Sequence, residues 1–292
     1  MLSLYADADV NEFGPVALKT VREILVKQAL SRKYVNKLVV SIRTIISWGI
    51  GEQLVRPEVL VALKCVKPLF IGQTDAVEHP AVEAVSEEVI KATLPHLPPT
   101  IADMVRIQSL TGMRPSEVCE MRLSEVDQSS TPWVYRKRDH KNAWRGKPRN
   151  ILIGPQARCI LIPYVRLSES DGNDFLFSPI RSEKHRLESL RAKRKSKVQP
   201  SQISRKKPNP KRTLREHYDR SGYQHRIAII CKKHEIPHWH PNQLRHLVAE
   251  TAQAQNGSIE HVCALLGDDV ESVKIYAQRN LDLAKKLARE NG

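Results

Sequence analysis

Leu110-Thr111-Gly112-Met113-Arg114-Pro115-Ser116-Glu117-Val118 is the stretch on which the fold turns. Its glycine suits the C-terminus of a helix covering Ile101 to Leu110, and Pro115-Ser116-Glu117 suits the first turn of the next, so Arg114 sits at the junction of two helices. Two later segments gain meaning beside it. His240-Pro241-Asn242-Gln243-Leu244-Arg245-His246 places Arg245 near the start of a helix, and Ala264-Leu265-Leu266-Gly267-Asp268 leads on to Val273-Lys274-Ile275-Tyr276-Ala277. Between the first two, Trp133-Val134-Tyr135 and Asn150-Ile151-Leu152-Ile153 are short strand-like runs separated by a polar stretch rich in Lys and Arg, which predicts a small antiparallel ribbon.

In this order and these contexts, the segments resemble the tyrosine recombinases, or phage-type integrases, over nearly the whole chain. The resemblance implies a mainly α fold with a small β ribbon: a helical core-binding domain, then a mixed, mostly helical catalytic domain, the two closing as a clamp on DNA. Thr111 to Glu117 is similar to the family's first arginine box, and Leu244-Arg245-His246 to its second. The basic ribbon is similar to the family's β-hairpin, which makes Lys141 the match for the catalytic lysine, ahead of Lys147 and Lys137. The implied site is therefore Arg114, Lys141, Asn242, Arg245, Asp268 and Tyr276, with Glu117 orienting the first arginine. The implied partners are double-stranded DNA and further copies of the chain, a tetramer on paired DNA sites. The implied cofactor and metal content is none.

The chemistry needs these residue types whatever the family. Breaking a DNA strand without metal or nucleotide takes a nucleophile, and a tyrosine phenolate stores the bond energy as a phosphotyrosine that a free hydroxyl can attack; Tyr276 has that role. The pentavalent phosphorane gathers charge on its equatorial oxygens, which paired guanidiniums bind through fixed forks of donors, the role of Arg114 and Arg245. The departing 5′ oxygen leaves as a hydroxyl when an ammonium protonates it, the role of Lys141. For the arginines the plainer alternative is a structural ion pair with Glu117 or Glu250, and for Tyr276 a half-buried helical tyrosine.

Two positions depart from the family. The second box usually reads His-x-x-Arg, but Asn242 stands three before Arg245, and an amide donates a hydrogen bond without exchanging protons; His240 and His246 are the nearby substitutes. The family's Leu-Gly-His is here Leu266-Gly267-Asp268, a carboxylate where phosphate is expected, and the interval to Tyr276 is one residue short. These motivate a rival, a degenerate recombinase that binds DNA without cutting it. A second rival with the same chemistry is a type IB topoisomerase-like enzyme.

Val16 to Leu30 and Val35 to Trp48 carry apolar stripes at helical spacing and Glu58 to Val66 adds a third helix, giving a DNA-binding domain over residues 1–75. Gly72 to Pro80 loses periodicity and gains turn formers, which places a linker over residues 76–84 and leaves 85–292 as the catalytic domain. Within it, residues 182–213 are rich in Lys, Arg, Ser and Pro and read as a flexible, solvated insertion. The segment 181–215 holds fourteen Lys or Arg against Glu183 and Glu188, a surplus of +12 in a chain whose net charge is +15. Such a balance points to polyanions. The final stretch, Leu281 to Ala288, reads as a helix with an apolar docking face.

The 292 residues contain no apolar run near the ~18 to 20 a membrane span requires, and no basic segment precedes an apolar core at the N-terminus, so a cytoplasmic protein without membrane association is expected. Five scattered cysteines without a Cys-x-x-Cys pair suit buried thiols and no disulfide, and the Cys231, His234, His238, His240 group lacks the second cysteine a zinc finger needs. Trp48, Trp133 and Trp239 are expected in cores. Trp144, inside the basic ribbon, suits either a core or a stack on DNA.

Overall fold

The structure is a computed structural model that describes residues 2–140, 143–146, 148–197, 213–256, 258–267 and 270. Lys141, Asp268, Tyr276 and the Leu281 to Ala288 stretch lie outside the described residues. The chain forms two compact units, residues 1–81 and 82–292.

The first unit is built on α1 (Leu2–Tyr5), α2 (Pro15–Lys27), α3 (Arg32–Gly51) and α4 (Pro57–Lys64). Pro15 and Pro57 start their helices at positions whose N–H has no helical partner, and the Ser31 side chain accepts from Tyr34 N to cap α3. Leu18 and Val21 of α2, Val39, Ile42 and Ile46 of α3, and Val59 and Leu63 of α4 close one core with Phe13 and Val66. Trp48 is not in it: the ring is 61% exposed, as are Ile45 at 58% and Val16 at 77%. A helix turns about 100° per residue, so Trp48 lies about 200° round α3 from Ile46; the apolar stripe is wider than the face that packs.

The second unit wraps helices around a three-stranded antiparallel sheet. Its elements are α5 (Glu87–Thr93), α6 (Pro99–Thr111), α7 (Pro115–Cys119), β1 (Val126–Asp127), β2 (Trp133–Lys137), β3 (Arg149–Ile153), α8 (Pro155–Asp171), α9 (Pro179–Ala192), α10 (Arg220–Lys233), α11 (Asn242–Asn256) and α12 (Ile259–Leu266). Strand order is β1-β2-β3, with Trp133 opposite Ile153, Tyr135 opposite Ile151 and Lys137 opposite Arg149. The strand period of two turns all six of these residues to the buried face. Trp133 and Trp239 are core residues, whereas Trp144 is 78% exposed.

The reading of 182–213 as a flexible insertion needs correction at its start, because residues 182–192 belong to α9. Polarity alone does not exclude a helix: Glu, Lys, Arg, Leu and Ala are good helix formers, and Pro179 opens the first turn. Arg181 ties the helix down. It reaches Asp171 Oδ2 at 2.7 Å through Nε, the Phe175 carbonyl at 2.7 Å through Nη1 and the Asn173 carbonyl at 2.8 Å through Nη2.

Four side chains of this unit fix the entry to α11. Gln108, buried on α6, donates to the Pro241 carbonyl at 2.9 Å and accepts from the Tyr223 hydroxyl of α10 at 3.1 Å. Trp239 Nε1 donates to Thr93 Oγ1 at 3.1 Å, anchoring the same loop to α5. Among the described residues, no helix is long and apolar enough to cross a membrane.

Candidate active site

The first arginine box folds as expected. Gly112 ends α6 in the left-handed conformation, φ 64°, and a Cβ there would crowd Val248 Cγ1 at 3.0 Å, so glycine is needed both for the turn and for the approach of α11. Arg114 then caps α7. Its N–H donates to Glu117 Oε2 at 2.6 Å and its Nη1 to Glu117 Oε1 at 2.9 Å, leaving the side chain 27% exposed. The ion pair weighed as an alternative role for Arg114 therefore exists, and it sets the guanidinium at the rim of the site.

Arg245 is fully buried on α11 and does not pair with Glu250 as its anchor; its Nη1 donates to the Gly112 carbonyl at 2.6 Å and its Nη2 to the Leu266 carbonyl at 3.0 Å. Gly112 is two residues from Arg114, so the two arginine boxes meet at one turn. Leu266 is the last residue of α12, and Gly267 follows it in the left-handed conformation, φ 61°. The fold thus gathers Arg114, Arg245 and the helix end that continues toward Asp268 and Tyr276.

Asn242 begins α11 with its Nδ2 3.5 Å from His246 Nε2, one helical turn on. Burial lowers the His246 pKa, helped by His240 and Arg245. The other nearby imidazole, His240, lines a polar hollow of about 210 Å³ with Pro115, Arg220, Gln224 and Asn242. Both arginine boxes border this hollow through Pro115 and Asn242.

Lys137 is buried, its Nζ 3.3 Å from Glu120 and 3.9 Å from Glu125. A buried lysine held by two carboxylates is committed to the protein. Of the Cys231 group, Cys231 is buried and His234 stacks on His96 with centroids 3.7 Å apart. Among the described residues no three His, Cys, Asp or Glu side chains gather as a metal site.

One residue at the centre of the site had no place in the sequence reading. Arg149, the first residue of β3, is buried and forks onto Glu117, Nε to Oε1 at 2.8 Å and Nη2 to Oε2 at 2.9 Å, while its Nη1 donates to the Leu266 carbonyl. The signal was available: counting back by two from Ile153 and Ile151 puts Arg149 on the core face, and Glu117 is an acid waiting at the start of a buried helix. Burial alone would raise the Glu117 carboxyl, but the Arg149 hydrogen bonds and charge, with the Arg114 N–H and charge, hold it at about 2 against an ordinary value of 4.5. A depressed folded pKa stabilises the fold above the unfolded value, and that stability is lost as pH falls from about 4.5 toward 2. Its size is on the order of 3 kcal/mol. Urea unfolding followed across this range is expected to show the loss in the parent and a flatter acid limb in Glu117→Gln.

The family model of the phage integrase family matches residues 84–282, which includes every residue of the candidate site. The chain belongs to the phage integrase family. Solved structures agree with this phage integrase family member in fold. The Tn1549 transposon integrase in complex with transposon right end DNA is 13% identical with a TM-score of 0.63, covering 95% of this chain and 85% of that one. A lambda integrase dimer bound to a COC′ core site is 13% identical with a TM-score of 0.62, covering 94% and 83%. The XerH recombinase bound to its difH substrate is 14% identical with a TM-score of 0.56, covering 94% and 69%. No curated protein matches the chain.

Proposed function

We propose that the chain is a site-specific DNA recombinase that cuts and rejoins strands through a 3′-phosphotyrosyl intermediate. The observation that carries this is the meeting of Arg114, Arg245 and the end of α12 at one turn, in a family whose solved relatives are recombinases and integrases bound to DNA. Tyr276 Oη gives its proton to water and attacks phosphorus, the bond to the 5′ oxygen breaks, and that oxygen takes a proton from Lys141 Nζ, which water later restores, and leaves as a hydroxyl. Attack by the 5′ hydroxyl of a new strand reverses these steps and frees the tyrosine. Arg114 and Arg245 stabilise the phosphorane oxygens, and Asn242 donates where the family uses imidazole. The residue 1–75 domain grips the duplex, and paired sites assemble a tetramer in the cytoplasm.

The test is covalent capture from a randomised pool of nicked duplexes, in which the downstream fragment diffuses away and the adduct persists. A DNA-linked peptide containing Tyr276 is the expected product, and sequencing the captured DNA reads the site. Binding of the pool with no adduct establishes the degenerate reading that Asn242 and Asp268 motivate. A captured duplex that is relaxed when supercoiled but never recombined with a second copy establishes the topoisomerase reading.

The basic segment supplies sequence-independent affinity in this scheme. Arg181 is already bound within the fold, so the useful charge lies beyond it. Excising residues 194–212, which leaves α9 and α10 intact, is expected to flatten the slope of log affinity against log salt, since fewer counterions are released per complex. An unchanged slope assigns those lysines and arginines to something other than DNA.

A further inference from the structure

Arg149 is the one side chain among the described residues that touches both Glu117, which holds Arg114, and the Leu266 carbonyl, which holds Arg245. Glu117 takes its fork and also takes the N–H and Nη1 of Arg114; the Leu266 carbonyl takes its Nη1 and also takes Nη2 of Arg245. We propose that Arg149 is a positioning residue that locks the first arginine box to the end of α12. The two guanidiniums and the end of α12 are thereby set in register before DNA arrives. The inference rests on the recombinase reading for its catalytic consequence and on the geometry alone for the coupling.

Three features support a positioning role over a phosphate contact. The Arg149 side chain is only 3% exposed, and its Nε, Nη1 and Nη2 are each engaged inside the protein by Glu117 or the Leu266 carbonyl. A guanidinium is buried at a large desolvation cost unless carboxylate and carbonyl match its donors, and here Glu117 and Leu266 do so on two edges. Gly267 also gives way to it: a Cβ at that position would overlap Arg149 Nη1, so the turn after α12 is shaped around the guanidinium. Lysine cannot replace this arrangement, because an ammonium has the charge without the planar fork that spans two acceptors.

A residue that orients catalytic groups changes the chemical step, whereas one that touches DNA changes affinity. With a duplex captured by the parent, Arg149→Lys is expected to lower the single-turnover adduct rate about 100-fold, the scale of a small misplacement of reacting groups. The Kd for that duplex and the cooperativity of urea unfolding are expected to stay as in the parent. An adduct rate that merely follows the folded fraction, or a Kd that weakens by the same factor as the rate, overturns the proposal. The coupling is read separately by unfolding Glu117→Gln, Arg149→Lys and the double variant in urea. A joint loss clearly smaller than the two single losses together is expected, and additive losses overturn the proposal. That cycle stands even if the parent forms no adduct, a result that removes the recombinase reading alone. Should Arg149→Lys fail to fold, Glu117→Asp carries the rate measurement, since it keeps the charge and withdraws the carboxylate from the fork. Its adduct rate is expected to fall at unchanged Kd, and an unchanged rate overturns the proposal.

Discussion

Tyr276→Phe is expected to leave no covalent protein–DNA adduct while the affinity for the same duplex stays nearly as in the parent. The substitution removes one oxygen, and in the proposed chemistry that oxygen is the nucleophile and not a binding group. The other tyrosines of the catalytic unit are poor replacements. Burial raises the pKa of Tyr135, Tyr164, Tyr218 and Tyr223. Three of these hydroxyls are also engaged: Tyr135 with the Glu117 carbonyl at 3.2 Å, Tyr164 with Asp103 at 2.8 Å and Tyr223 with Gln108 at 3.1 Å. A phenol that is buried and donating its proton within the protein is a weak nucleophile. Denaturing gels of the captured complex measure the outcome, and adduct formation by the phenylalanine variant transfers the nucleophile's role to another residue.

How much of this was legible in the sequence depends on the scale at which each feature is set. Gly112, Arg114 and Pro115 are read correctly because helix ends obey local rules: a left-handed residue closes one helix and a proline opens the next. The ribbon is read correctly because alternation over a few residues fixes its strands. Trp48 is misplaced because periodicity shows which residues can share a face, while packing partners decide which face is covered. Residues 182–192 are misassigned for a related reason, since composition reports polarity, and polarity is compatible with an exposed helix held by Arg181. Arg149 escapes because a basic residue beside other basic residues reads as surface. Only the register, Lys137 opposite Arg149 on the buried face, exposes the need for Glu120 and Glu125 around one and Glu117 around the other. Long-range charge matching of this kind is written in three segments at once, and no single window contains it.

Arg245 links these local and long-range features, and its replacement carries the second large effect. Both of its terminal nitrogens hold backbone carbonyls, Gly112 at the first arginine box and Leu266 at the end of α12. Arg245→Ala therefore removes a transition-state donor, leaves the buried Gly112 carbonyl to find a new partner and leaves the Leu266 carbonyl to Arg149 Nη1. The first loss is expected to cost the cleavage step ~3 to 4 kcal/mol, or roughly 100- to 1,000-fold. The second is expected to cost stability by about 1 to 3 kcal/mol for the group left unsatisfied. Arg245→Lys separates the two. It keeps a positive charge near the phosphate but cannot bridge carbonyls that lie on different helices, so most of the rate is lost even where the fold is retained. Arg114→Ala provides the contrast, because that side chain is 27% exposed and Glu117 keeps its fork to Arg149. A comparable fall in adduct rate with a smaller fall in urea stability is expected there. Single-turnover capture normalised to the folded fraction gives the comparison. If Arg245→Lys cleaved at the parental rate, the buried guanidinium would be a structural bracket between α6 and α12, and the phosphate would have to be gripped by Arg114 with the groups around the polar hollow, Arg220 and His240 first among them.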